Sequence, residues 1–277
     1  MFPEELKIDS CVQLNNGIEM PVFGLGTYLA TGRGGRNAFL KAIELGYRHI
    51  DTAALYNNES EVGKAVQDSG IPRDEMFITT KLWNDDHGYE KTLRAFDASL
   101  KRLGMDYVDL YLIHWPVEGL RKESWKAMEE ILATGRARSI GVSNYMPWHL
   151  EELLGHTDVV PVVDQVELSV FLQQRELRNV CNMHGIQVES YSPLTKGRQL
   201  DDSTVARIAT KYGKTSPQIM IRWILQKEII VIPKSSDPGR IQENSEVFDF
   251  TITEHDMSIL DDLDQEFRTS WNPTLVP

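Results

Sequence analysis

Cysteine is scarce in this sequence: Cys11 and Cys181 are the whole supply, far apart and outside any C-x-x-C pair. That removes a paired-cysteine redox or metal motif and leads us to expect two reduced, buried thiols in a cytoplasmic protein. An excess of positive charge is also missing. Lys and Arg number 29 against 41 Asp and Glu, for a formal net charge of −12. Such a surface does not suit nucleic acid or an anionic membrane, so neither partner is expected, although one local basic pocket stays possible. No run reaches the ~20 apolar residues of a membrane helix. The start, Met1-Phe2-Pro3-Glu4-Glu5, lacks the basic and apolar regions of a signal peptide. No linker rich in Pro, Gly or Ser divides the chain, so residues 1–277 read as one domain. The histidines form no H-x-H or H-E-x-x-H pair, which argues against a metal hydrolase, and no metal is expected. Gly141-Val142-Ser143-Asn144-Tyr145 lacks the closing glycine of a nucleophile elbow, which argues against a serine hydrolase.

What is present is alternation. Asn15-Asn16-Gly17 marks a hairpin over 11–20. Strand-like apolar runs follow at 22–26, 48–52, 76–81, 107–114, 138–142, 161–166, 186–191 and 229–233. Amphipathic stretches lie between them, and two more helices are expected at 238–247 and 254–264. Strands that are apolar throughout belong to sheets covered on both faces. Eight of them, each followed by helix, predict an α/β chain: a (β/α)8 TIM barrel with an N-terminal β-hairpin and additional C-terminal helices. The runner-up is an open doubly wound sheet. It is weakened because Gly24-x-Gly26 has Leu29 where the dinucleotide fingerprint needs its third glycine.

Polar groups gather at the C-terminal ends of these strands, where barrel enzymes keep their sites. The ends read His49-Ile50-Asp51, Thr79-Thr80-Lys81, Ile113-His114-Trp115, Ser143-Asn144, Asp164-Gln165-Val166-Glu167, Tyr191-Ser192 and Pro233-Lys234-Ser235. Asp51 and Lys81, on adjacent strands at matching depth, are expected to pair, as buried charges must. Tyr56 follows on a loop that reaches over the mouth. A phenol ordinarily titrates near 10, and the Lys81 ammonium should lower that value. Tyr56 would then give a proton to a developing alkoxide, with His114 donating a hydrogen bond to the same oxygen. Taken singly, Asp51 and Lys81 read as a structural ion pair, His114 as a core histidine and Tyr56 as a surface tyrosine. Together they read as a catalytic group.

The segments GYRHIDTAALYNNESEVG (46–63) and IPKSSDPGRIQEN (232–244) resemble signatures of the aldo-keto reductases. KLW (81–83), LIHWP (112–116), GVSN (141–144), DQVE (164–167) and YSP (191–193) occur between them in family order. The resemblance covers nearly the whole chain and is to short prokaryotic-type members, a group that includes methylglyoxal, diketogluconate and prostaglandin reductases. It implies a (β/α)8 barrel, NADPH or NADP+ across the mouth, reduction of a small carbonyl substrate, and a monomer. By motif, Asp51, Tyr56, Lys81 and His114 match the catalytic tetrad. Ser143, Asn144 and Gln165 match groups that bind the nicotinamide carboxamide, and Tyr191 matches the ring stacked on nicotinamide. Gly26, Thr27 and Ser192 complete the expected cofactor contacts. Lys234, Ser235 and Arg240 are assigned to the 2′-phosphate, with Glu243 and Asn244 near the adenine. A guanidinium fork and a helix N-terminus near Asp237-Pro238-Gly239 suit that anion.

Tyr28, Trp83, His114 and Trp115 are expected to wall the substrate pocket, an aromatic lining that fits aldehydes and small hydrophobic carbonyls. The chain departs from the family pattern at Thr195, where many members carry Gly, and its 194–200 loop is short, which leaves its grip on the cofactor pyrophosphate open. Trp271 either enters the pocket or seals the barrel. A rival from another class is an NADPH-binding sensor or scaffold subunit with negligible turnover.

Overall fold

The computed structural model describes residues 2–275. The expected hairpin is present: β1 (Cys11–Gln13) pairs antiparallel with β2 (Glu19–Pro21). Gly17 takes φ +85° in the turn, a conformation open to glycine without strain. The Asn15 side-chain amide donates to Pro161 O at 3.0 Å and that of Asn16 to Arg138 O at 3.2 Å. Both acceptors precede barrel strands, so the hairpin caps the N-terminal end of the barrel.

Eight parallel strands follow: β3 (Gly24–Gly26), β4 (His49–Asp51), β5 (Phe77–Leu82), β6 (Leu110–Ile113), β7 (Ile140–Ser143), β8 (Val163–Glu167), β9 (Gln187–Tyr191) and β10 (Ile230–Val231). Each pairs with the next in sequence. The two ends also meet. Val231 N donates to Val22 O at 3.1 Å, and Gly26 N donates to Pro233 O at 3.2 Å. These bonds close the sheet and exclude the open doubly wound alternative.

The helices are α1 (Gly32–Glu44), α2 (Glu59–Ser69), α3 (Tyr89–Leu103), α4 (Arg121–Ala133), α5 (Pro147–Leu154), α6 (Arg175–Met183), α7 (Ser203–Tyr212), α8 (Ser216–Gln226), α9 (Pro238–Ser245) and α10 (Glu254–Asp261). Two helices, α7 and α8, follow β9. Local chemistry separates them. Asp202 caps α7 by accepting from Thr204 N and Val205 N, and Gly213 ends it at φ +63°. Thr215 and Gln218 then form a capping box that starts α8 afresh. No helix among the described residues is long and apolar enough to cross a membrane. The two thiols differ. Cys181 on α6 is buried, whereas Cys11 on edge strand β1 is only half-buried, against expectation.

The barrel interior is not purely apolar. Side chains alternate along each strand, and one set turns inward. Gln165 of β8 reaches Asp51 of β4, a strand that is not its neighbour, at 2.7 Å. His49 also lies inside. A Cβ on Gly24 would sit 2.5 Å from its ring nitrogen Nδ1, so the missing side chain at Gly24 makes room for that imidazole.

Candidate active site

A cavity of about 520 Å³ opens at the C-terminal mouth of the barrel. The strands deliver to it Gly26, Thr27, Asp51, Ser143, Asn144, Gln165, Tyr191 and Ser192, and the loops add Tyr28, Tyr56, Trp83, His114, Trp115 and Lys234. Ser235, Arg240, Glu243 and Asn244 do not line it. They belong to the β10–α9 segment, where Arg240 is exposed while Ser235 and Asn244 are buried.

Asp51 and Lys81 do pair, at slightly different depths. Asp51 is in register with Thr79, so Lys81 lies two residues further along β5 and its long side chain bridges the offset. Its ammonium donates to Asp51 Oδ1 at 2.6 Å, to Asp51 Oδ2 at 2.7 Å and to Thr52 O at 2.9 Å. Those are all three donors of a lysine. None remains for the Tyr56 hydroxyl. The ammonium instead lies 5.2 Å from the Tyr56 ring centroid.

This corrects the expected direction of the Tyr56 pKa. Burial, followed by the Asp51 carboxylate, pushes the phenol well above its ordinary value. The Lys81 charge is already taken up by Asp51 and does not reverse that push. In this arrangement Tyr56 therefore holds its proton across the neutral range. Burial also raises the Asp51 carboxyl, against the opposing pull of Lys81 and Gln165.

His114 is buried, and its ring packs edge-on to Tyr56 at 5.6 Å and to Trp83 at 5.3 Å. Burial, aided by the Lys81 charge, pushes it well below the usual histidine range, so the ring is neutral. Its Nδ1 is buried without a partner among the described residues, which leaves Nε2 for the cavity.

The expected amide-binding groups form a network of their own. Ser143 Oγ donates to Gln165 O at 2.7 Å. Asn144 stands at φ +63°, a left-handed conformation that asparagine tolerates. Its side-chain nitrogen donates to His114 O at 2.9 Å, and its Oδ1 accepts from Tyr191 Oη at 2.8 Å. Thr27 Oγ1 donates to Asp51 O at 2.9 Å, joining the first strand to the second.

The tail enters the site. Trp271 lines the cavity, with its ring 5.5 Å from Trp115 and 6.5 Å from Trp83. Of the tail from Trp271 onward, Val276 and Pro277 lie outside the described residues. Glu167, at the end of β8, accepts from Thr269 N at 2.6 Å and from Ser270 N at 3.1 Å. Lys196 donates to Thr269 O at 2.8 Å and to Ser270 Oγ at 2.9 Å. The short 194–200 loop is thus tied to the tail at the cavity rim. Thr195 adopts φ +51°, where a β-branched residue is strained and the glycine of the family pattern would not be.

Glu189 was not singled out by sequence reasoning. It is fully buried on β9, directly across from Gln165 in the register. A detectable signal did exist: a charged residue two positions before Tyr191 in a buried strand shares its inward face.

Asp164 behaves differently from its neighbours at the mouth. It is fully buried, and among the described residues no side chain donates to either carboxylate oxygen. Its neighbour Gln165 faces the barrel interior, so strand alternation turns Asp164 to the helix side of the sheet and outside the site. Burial pushes it well above the ordinary carboxylate range. The folded chain therefore keeps a proton that the unfolded chain releases above about pH 4. Stability should fall as pH rises through that window, by up to about 1.4 kcal/mol per unit. Asp164→Asn is expected to remove this slope and raise the urea midpoint at pH 8 more than at pH 5. An equal shift at both pH values would refute it.

Residues 35–265 match the profile of the Aldo/keto reductase family. The chain is 47% identical over 273 residues to a glyoxal reductase of Bacillus subtilis (strain 168), covering 98% of both sequences. Its fold is similar to the crystal structure of an aldo-keto reductase from a Medee basin deep-sea metagenome library. The TM-score is 0.92 at 48% identity, with 94% of this chain and 97% of that one covered. A Gox0644 mutant crystallised with NADPH superposes with a TM-score of 0.93 at 43% identity, with coverage of 97% and 99%. With a closed barrel, a polar mouth and a match over most of its length, the chain belongs to the aldo/keto reductase family.

Proposed function

We propose that this oxidoreductase uses NADPH to reduce aldehydes and ketones to alcohols, with Tyr56 as the proton donor. The observation that carries the reading is the convergence on one cavity of a protonated phenol, a neutral imidazole and a buried ion pair. The residues present fit the cofactor chemically. Hydroxyl and amide groups of Ser143, Asn144 and Gln165 suit a carboxamide, and the Tyr191 ring offers a flat face beside them. At the other end, Lys234 lines the cavity, and the N-terminus of α9 carries Arg240 in its first turn. Together they suit a phosphate. Ser235 supports that end by accepting from Asp237 N at 3.0 Å, and Glu243 and Asn244 sit one turn on, near where an adenine would lie. Gly26 and Thr27 contribute backbone at the cavity floor.

When bound, NADPH supplies the hydride through its nicotinamide ring. The rest is done by the chain. His114, neutral, donates from Nε2 to the substrate carbonyl oxygen and orients it. Tyr56 releases its proton to that oxygen as negative charge develops there. Asp51 keeps Lys81 fixed beneath the Tyr56 ring, where the ammonium stabilises the phenolate left behind. Tyr28, Trp83, Trp115 and Trp271 exclude water and give apolar contact to the carbonyl substituents. We infer a single-domain, cytoplasmic monomer acting on small carbonyl substrates.

The test pairs turnover with cofactor choice. NADPH oxidation is followed with methylglyoxal, aromatic aldehydes, keto-sugars and keto-steroids. Turnover no higher than that of Tyr56→Phe would leave only a binding function. Arg240→Ala should weaken NADPH by about 10- to 100-fold, the range for a charge-assisted contact. NADH, which lacks the extra phosphate, should change by less than about twofold. Equal losses would refute the phosphate assignment.

A further inference from the structure

Beneath the catalytic group lies a second buried acid that the reaction does not consume. Glu189 Oε2 accepts a hydrogen bond from Gln165 Nε2 at 2.8 Å. The same nitrogen donates to Asp51 Oδ2 at 2.7 Å. A side-chain amide nitrogen carries two hydrogens, so both are taken, one by each acid. The opposite amide orientation is excluded physically. Reversing the amide would press its carbonyl oxygen against Asp51 Oδ2, which already accepts from the Lys81 ammonium. Gln165 lines the cavity, and its one uncommitted polar atom is the carbonyl oxygen.

We propose that Glu189 is a positioning residue: with Asp51 it takes both N–H groups of Gln165 and leaves this amide a single fixed acceptor for the nicotinamide carboxamide. The inference rests on the reading of Gln165 given above. Without Glu189 the second N–H would be buried with nothing to accept it. An amide that rotates to find a partner loses its aim at the ligand. Burial, followed by the Asp51 charge, pushes the Glu189 carboxyl up. Oε2 receives Gln165, while Oε1 has no hydrogen-bond partner among the described residues and lies 3.7 Å from His49 Nε2. His49 is neutral, lowered by burial to about 3, and is placed by its 3.2 Å contact to Thr79 Oγ1. Among the described residues the interior thus offers Glu189 no cation besides Lys81, which Asp51 already occupies.

The experiment compares two ligands in the full-length protein. NADP+ carries the carboxamide, whereas 2′,5′-ADP carries the phosphate end alone. Glu189→Met and Glu189→Leu, two apolar replacements so that one folded variant suffices, should weaken NADP+ by about tenfold. They should leave 2′,5′-ADP within about twofold. Glu189→Gln, which keeps an oxygen to accept from Gln165, should recover most of the NADP+ affinity. Gln165→Ala should show the same selective loss, and adding Glu189→Met to it should cause little more, because one residue acts through the other. Unchanged NADP+ binding in the Glu189 variants, with a selective loss in Gln165→Ala, overturns the role of Glu189 alone. Equal loss of both ligands makes Glu189 merely structural and also overturns it. No selective loss in Gln165→Ala overturns the nicotinamide reading itself, and the proposal with it.

Discussion

Replacing Tyr56 with Phe should lower kcat for aldehyde reduction by about 10²- to 10⁴-fold, the usual contribution of a positioned acid. NADP+ affinity should stay within about twofold. The change removes one oxygen and little else. Lys81 makes its three hydrogen bonds to Asp51 and Thr52 and none to the phenol. The ring contacts to Tyr28 at 5.1 Å and to His114 at 5.6 Å are open to Phe as well. Because burial and Asp51 hold the phenol protonated, the wild-type rate of reduction should not fall through the neutral range for want of its acid. Single-turnover NADPH oxidation measures the chemical step directly. A rate within about threefold of wild type would end the assignment of Tyr56 as proton donor.

The second large effect is on stability. Lys81→Met leaves Asp51 buried with Gln165 as its only side-chain donor among the described residues. Stranding one member of a buried pair typically costs about 3–5 kcal/mol. The loss should be greatest at high pH and shrink toward pH 4. Without Lys81 the folded-state pKa of Asp51 rises further, so protonation rescues the folded form. Adding Asp51→Asn removes the stranded charge and should restore more than half of the lost urea midpoint. Equal stability of the single and double variants would show that the pair carries no such penalty.

The barrel was legible because its strands are continuous apolar runs and its helices are amphipathic, two patterns with different periods. The meeting of Asp51, Lys81 and His114 at one mouth was legible because polar residues at strand ends have one place to go in a barrel. What depended on three-dimensional direction was not legible. Nothing in the sequence says that Lys81 spends all its donors on Asp51 and Thr52, so the sign of the Tyr56 pKa came out wrong. Asp164 and Gln165 are neighbours in one strand, yet alternation sends them to opposite faces, and only Gln165 serves the site. Arg240 and Glu243 were read from the family pattern, and the structure places them on a helix beside the cavity and not in its wall. Glu189 was not legible because it lies deeper in its strand than Tyr191 and Ser192, below the tip where polar residues mark a site.

The knot that ties Thr269 and Ser270 to Glu167 and Lys196 divides the pocket into two kinds of wall. Below it, the Asp51 carboxylate, the Lys81 ammonium and the Gln165 amide nitrogen are bonded to one another in a chain, and a change at one position is felt at several. Above it, Trp271 hangs from an anchor whose bonds are mostly to backbone atoms. Its side chain can be exchanged without disturbing the proton chemistry beneath. Selection for a new guest molecule would find its freedom there, in a tail hooked to the rim of a machine that otherwise tolerates little tailoring.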